Sequence, residues 1–268
     1  MKGNKTNCRK EASYKKPIIP QGFTYSKGTW RTGYTIEKIS DGSHFVWIPV
    51  GSIEEDGTLD GKNHRFGKRT FLQSEESRLY NYYDEENNEM VESIMKYGGF
   101  YISAYLSAIE NGKIVFKNGL KPLDGFSYEE VENVVKHYSD DNETIVTCLP
   151  NGACYDTIFR WFIQIGKKTF EEIAIDSSSW GNYCDSENAP KNFTATGSNK
   201  KWMVCNIYDI AGNLSEWTTE RCGKKYVATR GGCCIDEGRL FPVAQRILAP
   251  RDDTHLEDIG FRAMLYLK

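Results

Sequence analysis

Beyond Asp176 the chain is written as short aromatic clusters set between Gly, Ser, Asn and Asp, as in "SSSWGNYCDS" and "TGSNKKWMVCNIYDIAGNLSEWTTE". Turn-forming residues at that density interrupt any helical period within a turn or two. The backbone there must be held by turns and side-chain hydrogen bonds. Whole-chain composition agrees: 24 Gly stand beside 16 Tyr, 13 Phe and 6 Trp in 268 residues. That mixture favours short strands, turns and irregular packed loops over the long helices of a bundle.

Regular elements are legible ahead of that region. "GYTIEKISDGSHFVWIPVG" (Gly33 to Gly51) alternates apolar and polar residues, breaks at Asp41-Gly42 and then becomes continuously apolar, which predicts a hairpin feeding a buried strand. In "NNEMVESIMKYGGFYISAYL", Met90, Val91, Ile94 and Met95 share a helix face, Gly98-Gly99 stops the helix, and "FYISAYL" follows as a strand. "FSYEEVENVVKHY" sets Ser127 and Glu130 at capping-box spacing and turns Val131, Val134, Val135 and Tyr138 to one side of a short helix. "LPNGACYDTIFRWFIQI" predicts another helix after Pro150, with Phe159, Phe162 and Ile163 available for burial. Residues 52–88 are polar and Glu-rich without a sustained period, and read as a long loop insertion. No linker divides the remainder, so the expectation is one composite domain over 17–268 behind a disordered tail at 1–16.

The net charge is −3 and the Lys and Arg residues are dispersed, which leaves no basic field for nucleic acid. The N-terminal stretch lacks the apolar core of a signal peptide, and no run approaches the roughly 20 apolar residues of a membrane span. A soluble protein, cytoplasmic or virion-associated, is expected. Eight cysteines include no C-x-x-C pair, so reduced thiols are expected ahead of disulfides or structural zinc. A Ser/His/Asp reading gains no support: His44 lies beside the hairpin turn, His64 in the insertion and His137 on a helix, each read as a solvated side chain, and His255 draws notice only by where it lies.

Three phrases in order, "NIYDIAGNLSEWTTE" (Asn206 to Glu220), "YVATRGG" (Tyr226 to Gly232) and "IGFRAMLYL" (Ile259 to Leu267), resemble the formylglycine-generating enzyme (sulfatase-modifying factor) family. "FVWIPVG", "GGFYISAY" and "CLPNGACYDTIFRW" agree, and the match covers roughly Pro17 to Lys268. The resemblance implies an α+β, C-type-lectin-like fold of short strands, a few helices and much irregular structure. The family's oxidases hold copper(I) on two cysteines a few residues past the Gly-Gly. In this chain those positions fall near Asp236 and Phe241, and neither is a thiol, so copper and oxidase activity are not expected and no cofactor is required. Family members often bind calcium near the "DIAGNLSEW" segment, which makes Asn213 and Glu216 candidate Ca2+ ligands; a hydrogen-bonded turn without metal explains the same residues.

Cys233 and Cys234 sit earlier than the catalytic thiols would. Neighbouring side chains on extended backbone point to opposite faces, a poor arrangement for clamping one ion. Incidental thiols at a surface or pocket come first, a vicinal disulfide second and a metal site third.

Asparagine offers another reading of this segment: 17 occur in residues 1–213 and none in the 55 that follow. Within the same fold family, Asn-rich segments between Gly-Gly and Gly-Phe-Arg characterise the variable proteins of diversity-generating retroelements, where template adenines are randomised. Residues 230–262 resemble such a randomised copy. Arg230-Gly231-Gly232, Arg246, Ala249-Pro250 and Ile259-Gly260-Phe261-Arg262 read as scaffold. Cys233, Cys234, Leu240, Phe241, Ile247, Leu248, Asp253, His255, Leu256 and Asp258 read as variable, each reachable from an Asn codon by replacing adenines, whereas Gln245 and Glu257 are not. With Asp236, Arg239 and Arg251 they form the candidate ligand-binding set. The implied function is non-catalytic recognition of a protein or glycan on a cell surface, by a protein borne on a phage, prophage or bacterium. A lectin-like protein with one fixed ligand is the alternative.

Overall fold

The computed structural model describes residues 16–50, 71, 80–139, 141–190 and 192–268. Strands β1 (Phe23–Lys27), β2 (Thr35–Lys38) and β3 (His44–Pro49) form an antiparallel meander. Its β2–β3 turn carries Gly42 at φ 75° and an Asp41 carboxylate that accepts from the Ser43 amide at 2.8 Å, the expected hairpin chemistry. A two-residue strand, β4 (Tyr82–Tyr83), precedes helix α1 (Asn88–Tyr97). Asn87 caps that helix, and Gly98, left-handed at φ 80°, ends it by donating its amide to the Ile94 carbonyl. Strand β5 (Gly99–Ser103) follows at once, then the small hairpin β6 (Ala108–Glu110) and β7 (Lys113–Val115).

Helix α2 (Tyr128–Lys136) opens with the full Ser127–Glu130 capping box. Strand β8 (Ile145–Cys148) leads into α3 (Gly152–Gln164), capped by Asn151, and the short α4 (Phe170–Ala174), capped by Thr169. The aromatic-and-turn region then supplies a 3-10 turn (Lys200–Trp202) and the strands β9 (Met203–Val204), β10 (Ile207–Tyr208), β11 (Ser215–Cys222), β12 (Tyr226–Arg230), β13 (Ile247–Pro250), β14 (Ile259–Gly260) and β15 (Met264–Leu267). The chain is therefore mixed α+β, mostly short strands with few helices.

A six-stranded sheet in the order β1-β2-β3-β5-β15-β8 organises the molecule, with the last strand of the chain inserted between β5 and β8. Its side chains divide by period two. Val46, Ile48, Phe100, Ile102, Met264 and Tyr266 enter one apolar cluster with α1, α3 and α4; Phe45, Trp47, Tyr101, Leu265 and Leu267 enter a second with α2. That second cluster also receives Trp217, Val227 and Ala249 from a further sheet, ordered β13-β12-β11-β14 with β4 added against β11, and Phe261 from just beyond β14. Burying each large apolar side chain contributes about 1.5–3 kcal/mol, so a sheet filled on both faces fixes its own register.

Part of the proposed insertion is not a loop. Residues 51–70 and 72–79, like 1–15, lie outside the described residues, but Tyr82 is buried and pairs with Cys222 while Tyr83 pairs with Arg221. Two aromatic residues suffice for a strand once an edge is offered, and no sequence period reveals that edge. Among the described residues no helix is long and apolar enough to cross a membrane.

Candidate functional site

The candidate surface hangs from a buried frame of charge. Strand β11 alternates so that Trp217 enters the apolar cluster while Glu216 and Glu220 point the other way, both fully buried. Arg230, at the end of β12, donates to Asp156 of α3 at 2.6 Å and to Glu220 at 3.2 Å. Arg246, just before β13, reaches the same two acids, at 3.0 Å to Asp156 and 2.7 Å to Glu220. Arg262 donates to Glu216 at 2.8 Å and, through its other nitrogens, to the carbonyls of Ser103 and Tyr208. The Tyr155 hydroxyl completes the set on Glu216. All three scaffold arginines are thus buried and ion-paired, at 0%, 3% and 0% exposure. Guanidinium suits this role because its planar fork meets two carboxylates at once.

Between these anchors the backbone satisfies itself. The Gly231 carbonyl accepts from the Tyr183 hydroxyl at 2.6 Å and from the Gly212 amide at 2.9 Å. Cys234 donates its amide to Asn213, Leu240 and Phe241 theirs to Glu237, and Arg251 its own to Lys225, all onto main-chain carbonyls. Ile247 and Leu248 lie in β13, an edge strand paired with β12. At these positions loop shape depends little on side-chain identity, in contrast to Asp236, whose carboxylate closes a turn, and Asp258, at a left-handed φ of 63°.

Their exposure matches that independence. Arg239, Leu240, Asp253 and His255 are exposed; Asp236, Phe241, Ile247, Leu248, Arg251, Leu256 and Asp258 are half-buried. Cys233 and Cys234 are the exceptions, buried at 5% and 2% exposure, which corrects the expectation of surface thiols. Cys233 is drawn inward because its amide donates to the Asp236 carboxylate at 2.9 Å while its carbonyl accepts from the Asp236 amide, closing a tight turn. Burial, with Asp258 beside it, pushes the Cys234 thiol up to about 11. Burial and Asp236 raise Cys233 further, so both are neutral, unreactive thiols near pH 7. The seven described cysteines are all free, and no vicinal disulfide joins these two.

The structure brings Cys233, Cys234, Asp236 and Asp258 into one electrostatic neighbourhood. The other candidates attach elsewhere. His255 lies 3.0 Å from Glu130 on α2, and the Arg251 guanidinium stands 5.4 Å from the Tyr128 ring centre. Leu256 packs on the apolar cluster beneath α2, and Arg239 pairs with Glu237.

The two candidate calcium ligands serve separate internal networks. The Asn213 carboxamide oxygen accepts from Thr194 at 2.8 Å and Asn182 at 3.0 Å, holding the 192–199 loop, at a left-handed φ of 67°. Glu216 is committed to Arg262 and Tyr155. A buried carboxylate already neutralised by guanidinium has no charge left for an ion, and among the described residues no cluster of three or more His, Cys, Asp or Glu stands ready to hold one. Asp236 and Phe241 are a turn-capping carboxylate and a half-buried ring.

Sequence reasoning flagged the arginines but missed their acids, Asp156 and Glu220, and missed Asp84. Asp84 accepts from the Gly152 and Ala153 amides at 2.9 Å each, adding a second cap to α3. Burial and the nearby Glu220 raise its pKa to about 6. A carboxylate directly after the Tyr82–Tyr83 pair carries no sequence signal for that role.

No family model and no curated protein matches this chain. Among solved structures, PvdO from Pseudomonas aeruginosa is similar in fold: TM-score 0.52 and 15% identity, covering 90% of this chain and 100% of that one. Treponema denticola variable protein 1 aligns over 94% of this chain and 93% of its own at 15% identity, with a TM-score of 0.35, too low to bear an argument.

Proposed function

We propose that this chain is a non-catalytic recognition protein with a C-type-lectin-like fold, presenting the side chains of residues 233–258 to a protein or glycan ligand. The observation that carries the reading is the division of that segment. Residues legible as scaffold, Arg230, Arg246 and Arg262, are buried in ion pairs, whereas eleven of the thirteen candidate contact residues are exposed or half-buried. A surface of mixed aromatic, aliphatic and charged side chains on self-satisfied backbone suits adaptable binding, since surface substitutions usually change stability by no more than about 0.5 kcal/mol. Catalysis by the oxidase route lacks its thiols, because Asp236 and Phe241 stand where the family resemblance places them.

The finer reading is that the surface is diversified by adenine replacement from a retroelement template. Its test is the gene's neighbourhood: a near-repeat of the 3′ coding segment, differing at adenines, beside a reverse transcriptase. A locus holding neither would overturn it. A lectin-like protein with one fixed ligand is the second reading, favoured by the burial of Cys233 and Cys234, which a randomised set would leave in solvent.

A further inference from the structure

Three sulfur-bearing side chains converge where β8, α3 and β15 pack together, away from the recognition surface. Cys148 at the end of β8 and Met264 at the start of β15 are direct partners in antiparallel register. Residues so opposed project to one face with their Cβ atoms about 4.5–5.5 Å apart. Cys154 comes from the first turn of α3, and its Sγ lies 3.2 Å from the Met264 Sδ. Cys148 is near enough to Cys154 to help raise its thiol, and all three residues pack in or against the same apolar cluster. Cys148 also lines a groove of about 760 Å³ whose walls carry Glu85, Glu86, Glu89, Glu129 and Glu132 against one cation, Lys136.

We propose that Cys148, Cys154 and Met264 form a binding site for a soft, thiophilic monovalent ion of the Cu(I) class, entered through this acidic groove. Thiolate and thioether ligands select soft ions over Mg2+ or Ca2+, and three sulfurs without an oxygen donor among them make that selection strict. Two sulfurs sharing one ion at about 2.3 Å stand roughly 3.7 Å apart in tetrahedral geometry, so the Cys154–Met264 contact opens by about half an ångström. The acidic walls raise the local cation concentration at the entrance.

Burial holds the Cys148 thiol at about 12 and Cys154 above its ordinary value, so both are protonated near pH 7. Binding replaces a proton: an S–H bond breaks, an S–metal bond forms, the proton leaves to solvent, and no electron is transferred. One thiolate and one monovalent ion are together neutral, which an apolar surrounding tolerates. Apparent affinity therefore rises about tenfold per pH unit for each proton released.

The test is anaerobic titration of the reduced full chain with Cu(I) against a chromophoric Cu(I) chelator, with the ligand atoms of the bound ion read by X-ray absorption. One tight equivalent with sulfur-only coordination is expected. Met264→Leu, which conserves volume, should weaken that equivalent tenfold or more. Cys148→Ala with Cys154→Ala should abolish it, and Cys233→Ala with Cys234→Ala should leave it unchanged. An ion held by oxygen or nitrogen, an affinity indifferent to Met264→Leu, or loss of the tight equivalent with Cys233 and Cys234 would each overturn the site. If the Cys148/Cys154 double variant does not fold, Met264→Leu and the absorption spectrum decide the matter.

Discussion

Single residues divide into those the fold depends on and those it merely carries. Arg246 belongs to the first kind, because Asp156 and Glu220 are fully buried and share it with Arg230. Arg246→Ala leaves two buried carboxylates on one guanidinium, at an expected cost of about 3–5 kcal/mol, or a melting point lower by on the order of 10 °C. Leu240→Ala, at an exposed position, should stay within about 0.5 kcal/mol in the same scan. Asp258 is intermediate: its side chain is half-exposed, but its φ of 63° is one that Asn and Asp tolerate best. Asp258→Asn should be nearly neutral and Asp258→Val should cost about 1–2 kcal/mol, a gap that chemical denaturation resolves. Asp209 reports on pH. It is fully buried, accepts the Gly197 amide at 2.7 Å, and is raised to about 6 by burial. A carboxyl raised above its unfolded value near 4 keeps a proton that the unfolded chain has lost, so its contribution is full below about pH 4 and is lost as pH rises to about 6. The melting point of Asp209→Asn relative to wild type should therefore climb across pH 4 to 6 and level off above; a flat difference would show that Asp209 ionises normally.

At the scale of elements, the helices were the most legible parts and the reasons are local. Asn87, Ser127 and Asn151 each precede an apolar period, and each accepts from the amide three residues on. Ser127→Ala should cost about 1 kcal/mol, visible as earlier melting of the chain, with Ser127→Asp restoring most of it. What the sequence did not show is how close α3 comes to β11. A Cβ on Gly152 would stand 2.3–2.6 Å from the Glu220 carboxylate, so Gly152→Ala must displace the acid that holds Arg230 and Arg246. The expected loss approaches that of Arg246→Ala even though alanine is the better helix former. Neither β4 nor that helix-to-strand approach has a periodic signature, because each is created by an element distant in sequence.

For the whole molecule, the sequence indicated a mixed fold and the segment that faces solvent, but not which charges lie inside. Glu216 and Glu220 look like exposed strand residues or ion ligands until β11 is seen with α3 behind it; burial of charge is decided by tertiary partners, and two of those, Asp156 and Tyr155, lie some sixty residues upstream. The division of residues 230–262 has a global test. A library varied at Leu240, Phe241, Ile247, Leu248, Asp253 and His255 should remain folded and melt cooperatively in most members, whereas one varied at Arg230, Arg246 and Arg262 should yield almost no soluble protein. The paired arginines have one more consequence, for length. Because Arg230 and Arg246 grip the same two carboxylates, the chain between them is a closed loop whose ends stay fixed whatever lies at its tip. Closure entropy grows only logarithmically, about 0.6 kcal/mol per doubling, so residues inserted between Glu237 and Leu240 would cost little in closure, and their penalty would be the turn bonds from Leu240 and Phe241 to Glu237 that they interrupt.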